Sequence, residues 1–386
     1  MNKNIIIAGG DGFCGWPLSL RLSKLGYSVT ILDNFSRRKI DRELSANSIT
    51  PIKDIYRRIH TWKRISKKKI QFIKIDLFKD TSKINNIVKK LKPRAIFMFA
   101  ELKSAPYSMI SVEHANKNFC NNLVSNNNLL NAIKLFSKNS HYIHLGTMGV
   151  YGYDYSKKIL PEGYFKAKLI NGNGEQIVDQ ILHPASPGSI YHLTKAQDEL
   201  IFQFYNKMYG IKITDLHQGI VWGCNTTETS LHSNLCNRFD YDHIYGTFLN
   251  RLVAQAASKH ALTLHGTGNQ LRPFINIGSA IQSFVKILQN PPKEKKVAIF
   301  NELGEVKRLK SIAGLIADKY EVRTNNIDNP RKESEDNHLK AEATKLKKLG
   351  VKMDPITINK IDELYKLAVK YKRRIKKNKI INNVFW

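Results

Sequence analysis

The sequence predicts an α/β protein, a Rossmann-like doubly wound parallel sheet with a smaller C-terminal α/β substrate-binding region, and three observations predict it. A β-branched run, Ile5-Ile6-Ile7-Ala8, leads into glycines at 9, 12 and 15 and then into a helical apolar pattern from Trp16 to Leu25. Short apolar runs alternate with helical segments as far as Gly152, the pattern of a parallel sheet with crossover helices. Beyond Trp222 that regularity falls away. With 386 residues, 42% of them hydrophobic, the chain is long enough for one large or two ordinary domains. We expect residues 1–223 to bind a dinucleotide and 224–386 to bind mainly the substrate, with some exchange of chain between the two.

The glycine turn reads as strand, tight turn and helix start. Gly9 takes the turn, Gly12 lets the backbone approach a pyrophosphate, and Gly15 lets helix pack on strand. The free N–H groups and dipole of the helix start favour an anion. A second strand, Ser28 to Leu32, ends in Asp33, about 20 residues beyond the glycines, where a carboxylate accepts from a ribose hydroxyl. That carboxylate makes NAD the expected cofactor. Arg37 and Arg38 follow, placed to clamp the adenosine end or the pyrophosphate.

A basic excursion from Lys39 to Lys69 is expected to be mostly helical. The third strand, Lys69–Ile75, ends at Asp76, suitably placed for the adenine edge, and a helix spans about Thr81–Leu91. Arg94–Ala100 is the continuous apolar run of a strand covered on both faces. Its following loop, Glu101 to Met109, lies at the carboxyl edge of the sheet, where substrates bind. A long helical segment through Asn121 and Asn122 runs to Phe136, and a strand at His141–Leu145 delivers Thr147. Residues 153–190 read as a Gly/Pro-containing loop, and a helix follows from Tyr191 to about Tyr209. One strand is expected over Lys212–Gly223, then a polar loop at 224–243 and helices near 246–259, 278–289 and 308–320. A basic helix closes the chain.

The net charge of +30 is spread through the chain, with clusters at 57–69 and 366–379. These read as solvated helix faces, so no specific nucleic-acid partner is expected. No apolar run reaches the roughly 18 residues of a membrane span, and Ile5–Ala8 is too short for a signal-peptide core. A cytoplasmic protein without membrane insertion is expected. Cysteines 14, 120, 224 and 236 show no metal-ligand spacing. Buried reduced thiols and no metal are expected.

Thr147 at a strand end, with Tyr191 and Lys195 one helical turn apart on one face, are the parts of a hydride-transfer acid/base system. A free phenol titrates near 10, so a tyrosine base acting near pH 7 must be lowered by about 3 units, or roughly 4 kcal/mol. The ammonium of Lys195 and the positive charge of oxidised cofactor both favour the phenolate. Thr147 would hold the reacting hydroxyl.

The segments GGDGFCGWPLSLRLSKLGY (9–27), LDNFSRR (32–38), KSAPYSMI (103–110), LGTMGVYG (145–152), YHLTKAQD (191–198), TDLHQGIVWG (214–223), NRFDYDHIYGTFLNR (237–251) and NPRKE (329–333) carry a resemblance over nearly the whole chain. The chain resembles the extended short-chain dehydrogenase/reductases that act on nucleotide sugars, and within them the UDP-sulfoquinovose synthases. The resemblance implies a reaction: oxidation of UDP-glucose at C4 by NAD, loss of water across C5–C6, addition of sulfite at C6 and return of the hydride. It implies UDP-glucose and sulfite as partners, and a homodimer formed through two helices of the Rossmann half. It assigns Phe13, Cys14, Asn34 and Asn122 to the cofactor, and Tyr107, Met148, Gln218, Arg238 and Glu333 to the substrate. Lys103 and His192 fall to sulfite and to proton transfer at C6. Arg272 and Arg331 fall to the diphosphate, where a guanidinium fork suits the oxygens.

Two departures stand out. Val150 replaces a family glutamate, and Leu102-Lys103 replace Gln-Arg, which keeps the charge and loses the bidentate geometry. Val150 keeps open a second reading, a UDP-sugar 4-epimerase. A third is a basic nucleotide- or nucleic-acid-binding protein without turnover.

Overall fold

The structure, a computed structural model, describes residues 2–152, 159–174, 176–293, 295–331, 337–381 and 384–386. Strands β1 (Asn4–Ala8), β2 (Ser28–Asp33), β3 (Ile70–Lys74), β4 (Ala95–Met98) and β5 (His141–Thr147) alternate with helices as the apolar pattern predicts. They are followed by β6 (Tyr164–Ile170), β7 (Gln176–Leu182), β8 (Lys212–Gln218), β9 (Ile220–Trp222), β10 (Leu262–His265), β11 (Leu271–Asn276), β12 (Ala298–Glu302), β13 (Glu305–Arg308) and β14 (Thr324–Ile327). The main sheet has seven parallel strands in the order β12-β8-β5-β4-β1-β2-β3. The strand order reverses between β1 and β4, so a crevice opens at their carboxyl ends, where the glycine turn lies.

Alternation along β1 builds both layers of core. Ile5 and Ile7 face Trp16, Leu18 and Leu20 of the Gly15–Lys24 helix together with the Ile277–Gln289 helix. Ile6 and Ala8 face Ile84, Leu129 and Phe202 on the opposite helices. The C-terminal half therefore supplies one edge strand, β12, and one covering helix to the sheet. A separate cluster packs Trp222 and Phe239 among the Phe248–Ala257, Leu309–Tyr320 and Ile358–Lys370 helices.

Four expectations are corrected. The run 212–223 is two strands: β8 pairs in the main sheet, while β9 pairs with β11 in a three-stranded one. The chain changes sheet at Gly219, where an added Cβ would lie 2.9 Å from the Pro273 carbonyl oxygen. The expected loop before Tyr191 contains an antiparallel hairpin, β6 with β7, turning at Gly174 with φ +77°. β6 buries neither face well, so its hydrophobic alternation is faint. Arg58 is not on a solvated face, because the excursion forms two helices, Ser36–Glu43 and Ile55–Ser66, and the second carries Arg58 fully buried over the Trp16 ring at 3.9 Å. Cys120 is exposed, whereas the other three cysteines are buried. No helix among the described residues is long and apolar enough to cross a membrane.

Candidate active site

The glycine turn forms a cleft of about 880 Å³ at the crevice. Gly9 has φ +80°, and a Cβ there would lie 2.6 Å from the Phe99 carbonyl carbon. A Cβ at Gly15 would overlap the Gly9 carbonyl. The backbone thus comes close where a pyrophosphate needs it, and the cradle fits NAD. Asp33 at the end of β2 accepts from the Asp11 N–H at 3.0 Å and the Phe35 N–H at 2.7 Å. Burial, then the Asp11 charge, pushes its carboxyl up to about 6. Phe13, Cys14, Asn34 and Arg37 also line the cleft. Burial pushes the Cys14 thiol up to about 12, so it stays protonated. Arg37 lies 3.7 Å over the Tyr245 ring and pairs with Asp240 at 3.2 Å.

Three residues expected at the cofactor stand beside it instead. Arg38 is held by Asp11 and by the Lys53 carbonyl at 2.7 Å, and Asp11 also takes the buried Arg58 at 2.7 Å. These cations brace the glycine turn from behind. Asp76 accepts from Asn34 Nδ2 at 3.1 Å and does not line the cleft, which its neighbours Ile75 and Leu77 do. Asn122 is fully buried, accepts from the Leu102 N–H at 2.9 Å and donates to Thr194 Oγ1 at 3.0 Å. Its neighbour Asn121 faces the cleft. The two asparagines sit in a π turn, Cys120–Val124, which widens the helix there by one residue per turn.

At the head of β5, Thr147 opens onto a second cavity, and Tyr191 and His192 reach it from the helix Ile190–Tyr209. Ser189 caps that helix by accepting from the His192 N–H at 3.2 Å, and the Tyr191 N–H is held by Ser108 Oγ at 3.0 Å. Lys195, one turn on, donates to the Leu145 carbonyl at 2.6 Å and forms an ion pair with Glu101. Burial, then Arg331, brings His192 down to about 3, so its imidazole is neutral. A side chain at residue 149 would overlap the His192 ring, which makes Gly149 a requirement of the site. Val150 packs among Met148, Tyr151, Leu160, Leu303 and Leu339, so the missing glutamate is replaced by apolar contact.

The second cavity, about 1560 Å³, is lined by no carboxylate among the described residues. Lys103 and Phe13 line both cavities, and the Lys103 ammonium stands 4.9 Å from the Phe13 ring centre. The side chain is exposed to the two cavities, desolvation by their walls lowers its pKa, and among the described residues it has no hydrogen-bond or ion-pair partner of its own. Met148, Gln218, Arg272 and Arg331 line the cavity as expected. Gln218 is held by Glu302 at 2.7 Å, a carboxyl that burial raises to about 8 and therefore keeps protonated at neutral pH. Arg272 donates to the Asn337 carbonyl at 2.7 Å. Three basic residues absent from the expected set, His243, Arg251 and His265, join them. Burial, then Arg331, lowers Arg251 to about 10, and burial, then Arg251 and Arg331, lowers His265 to about 3. An arginine among the mainly apolar residues of the Phe248–Ala257 helix is the signal that could have found Arg251.

Two substrate assignments move. Tyr107 is buried away from the cavity, its hydroxyl between Glu43 at 3.2 Å and Lys117 at 2.6 Å. Arg238 lines the cofactor cleft, with Nη2 donating to both Asp41 oxygens at 2.8 Å. Glu333 lies outside the described residues.

A model of the NAD dependent epimerase/dehydratase family matches residues 5–301. The chain is 38% identical to the chloroplastic UDP-sulfoquinovose synthase of Spinacia oleracea, over 100% of this chain and 79% of that one. It is 34% identical to the UDP-sulfoquinovose synthase of Sulfolobus acidocaldarius, over 97% and 95% of the two chains. Among solved structures it shares the fold of a Thermotoga maritima UDP-glucose 4-epimerase bound to UDP-glucose, with a TM-score of 0.68, 18% identity and coverage of 96% and 99%. It also shares that of a Bacillus cereus UDP-glucuronic acid 4-epimerase in complex with UDP-glucuronic acid and NAD, at 0.67, 19%, 95% and 99%.

Proposed function

The chain belongs to the NAD dependent epimerase/dehydratase family and, within it, to the UDP-sulfoquinovose synthases, and from that membership we propose that it joins sulfite to UDP-glucose to make UDP-sulfoquinovose. The observation that carries the reading is the position of Lys103, an ammonium that lines both the cofactor cleft and a neighbouring cavity; among the described residues it has no ion-pair partner, and that cavity no carboxylate. An ammonium facing both spaces attracts an anion, and a sulfite anion would meet it where the cofactor cleft opens onto the sugar site.

The glycine turn at residues 9–15 and Asp33 would hold NAD, whose chemistry when bound would be reversible hydride transfer at C4. Thr147 holds the C4 hydroxyl and Tyr191 takes its proton, with Lys195 favouring the phenolate. The C4 ketone acidifies the C5 hydrogen, and loss of that proton with the C6 hydroxyl releases water and leaves a conjugated alkene. Sulfite sulfur bonds to C6 while C5 regains a proton. His192, neutral and beside Tyr191, is the group we assign to proton movement at C6. Arg251, Arg272 and Arg331 take the diphosphate.

We also read the protein as a homodimer. Leu200, Phe204 and Met208 form an exposed stripe at four-residue spacing on the Tyr191 helix, and Leu135 is exposed on the Ser125–Phe136 helix. The test of the reaction is mass spectrometry of nucleotide sugars after incubation with UDP-glucose, with and without sulfite. A UDP-hexose sulfonate that forms only with sulfite is the expected product. UDP-galactose formed regardless of sulfite would overturn the reading in favour of an epimerase.

A further inference from the structure

Behind Lys195 a row of charged side chains runs through the core between the main sheet and the Tyr191 helix. Glu101, just after β4, forms an ion pair with Lys195 and accepts from His144 Nε2 at 2.8 Å and from Asn126 Nδ2 at 2.8 Å. The other ring nitrogen of His144, Nδ1, lies 2.7 Å from Asp215 on β8. Asp215 in turn meets His217 at 3.2 Å, and His217 meets Glu199 at 2.8 Å. All of these side chains are almost wholly excluded from solvent. Signs alternate from Lys195 to His217: ammonium, carboxylate, imidazolium, carboxylate, imidazolium.

The arrangement fixes the charges that face Tyr191. Burial alone would raise the Glu101 carboxyl, but Lys195 and His144 hold it down to about 2. Burial and Lys195 would lower His144, but Glu101 and Asp215 bring it up to about 9. With a carboxylate on each ring nitrogen, His144 is an imidazolium at neutral pH. Asp198, on the Tyr191 helix and 3.6 Å from His144, is pushed well above the usual carboxylate range by burial, then by Glu101, and stays neutral. Lys195 is thus faced by Glu101 from the loop after β4, His144 from β5, and Tyr191 and Asp198 from its own helix.

A lone ammonium would favour the Tyr191 phenolate strongly, and a carboxylate on that ammonium weakens its effect. We propose that Glu101 is a positioning residue for the Tyr191–Lys195 pair: it pins the ammonium beside the Leu145 carbonyl and offsets part of its charge, and His144 behind it sets how much is offset. The hydroxyl of Tyr191 is then tuned by a charge row that never touches the substrate. The inference rests on reading Tyr191 as the base of the proposed reaction.

The test is the titration of Tyr191 itself, in the protein as purified. Tyrosines labelled with carbon-13 at Cζ report phenol ionisation by nuclear magnetic resonance, and Tyr191→Phe assigns the resonance among the 16 tyrosines. Glu101→Gln removes the offsetting charge and is expected to lower the Tyr191 midpoint by about one unit, tenfold in ionised fraction. His144→Gln removes a positive charge while Lys195 keeps Glu101 ionised, and is expected to raise the midpoint. Opposite shifts establish the role. Unmoved midpoints, or shifts in one direction for both variants, overturn it, because loosened packing has no reason to give opposite signs. If Glu101→Gln does not fold, His144→Gln decides alone: an upward shift supports the proposal and an unmoved or lowered midpoint ends it. Failure of the proposed reaction shows separately, as absence of UDP-hexose sulfonate from the wild-type protein, and leaves these titrations readable.

Discussion

The two cavities that meet at Lys103 are built in opposite ways. The cofactor cleft is made largely by backbone: glycines 9 and 15 stand where a Cβ would collide, and one carboxylate, Asp33, caps the next strand. The neighbouring cavity is made by side chains from segments far apart in the chain, with Lys103, Arg251, His265, Arg272 and Arg331 brought to one space without a carboxylate among the described lining residues. The first is a contiguous device and the second an assembled one. A backbone device fails when atoms are added to it, whereas an assembled device fails when charges are removed.

Gly15→Ala gives the largest expected effect. The added methyl overlaps the Gly9 carbonyl, so the turn must open. Overpacking of this kind costs about 1–3 kcal/mol of stability, and the protein is expected to purify without NAD, read by mass spectrometry of released nucleotide. Binding of UDP, followed calorimetrically, should survive. If NAD is retained at wild-type levels, the close approach at Gly15 is not what holds the pyrophosphate.

Arg251→Met tests the other side. Removing one charged hydrogen-bonding group from a diphosphate costs about 1.5–3 kcal/mol, so KM for UDP-glucose should rise roughly 10- to 100-fold while NAD content stays unchanged. An unchanged KM would remove Arg251 from the substrate site. Parallel loss of NAD would show that the two cavities are not independent.

The smallest expected effect is graded with pH and sharpens the contrast at Asp33. Its carboxyl in the cofactor-free protein sits at about 6, and ribose hydroxyls donate to the ionised form. NAD affinity should be flat above that pH and fall by up to about tenfold per unit below it. Stability of the cofactor-free protein carries the opposite sign. A raised pKa contributes stability that is fully present below the unfolded value of 3.8 and lost as pH rises through about 6. Equilibrium dialysis against NAD and thermal unfolding without it separate the two. An affinity that does not change across this range would mean that Asp33 does not accept from the cofactor.

How much of this was legible before folding follows the same division. Gly9, Gly12, Gly15, Asp33, Thr147, Tyr191 and Lys195 were readable because each is fixed by a local rule: a turn, a strand end or a helical spacing. Arg38 and Asp76 were misplaced at the cofactor because proximity in sequence to Asp33, or to a strand end, does not say which way a side chain turns. Arg38 turns to Asp11, and Asp76 turns to Asn34. Asn122, which the resemblance assigns to the cofactor, is buried in a π turn while its neighbour Asn121 lines the cleft, a placement that apolar periodicity does not show. Tyr107 and Arg238 found acidic partners, Glu43 and Asp41, that no spacing rule connects to them.

By itself the sequence determined the parallel sheet, the place of the glycine turn and the tyrosine–lysine pair, since hydrophobic periodicity and backbone sterics act over a few residues and need no partner. Only the tertiary structure decided which cations meet in the cavity that no described carboxylate lines, that Val150 is satisfied by apolar neighbours, and that Glu101, His144 and Asp215 form one row behind Lys195. Those outcomes are set by burial and by charge at distances of a few ångströms between residues tens to hundreds of positions apart, and such distances exist only once the chain has closed on itself.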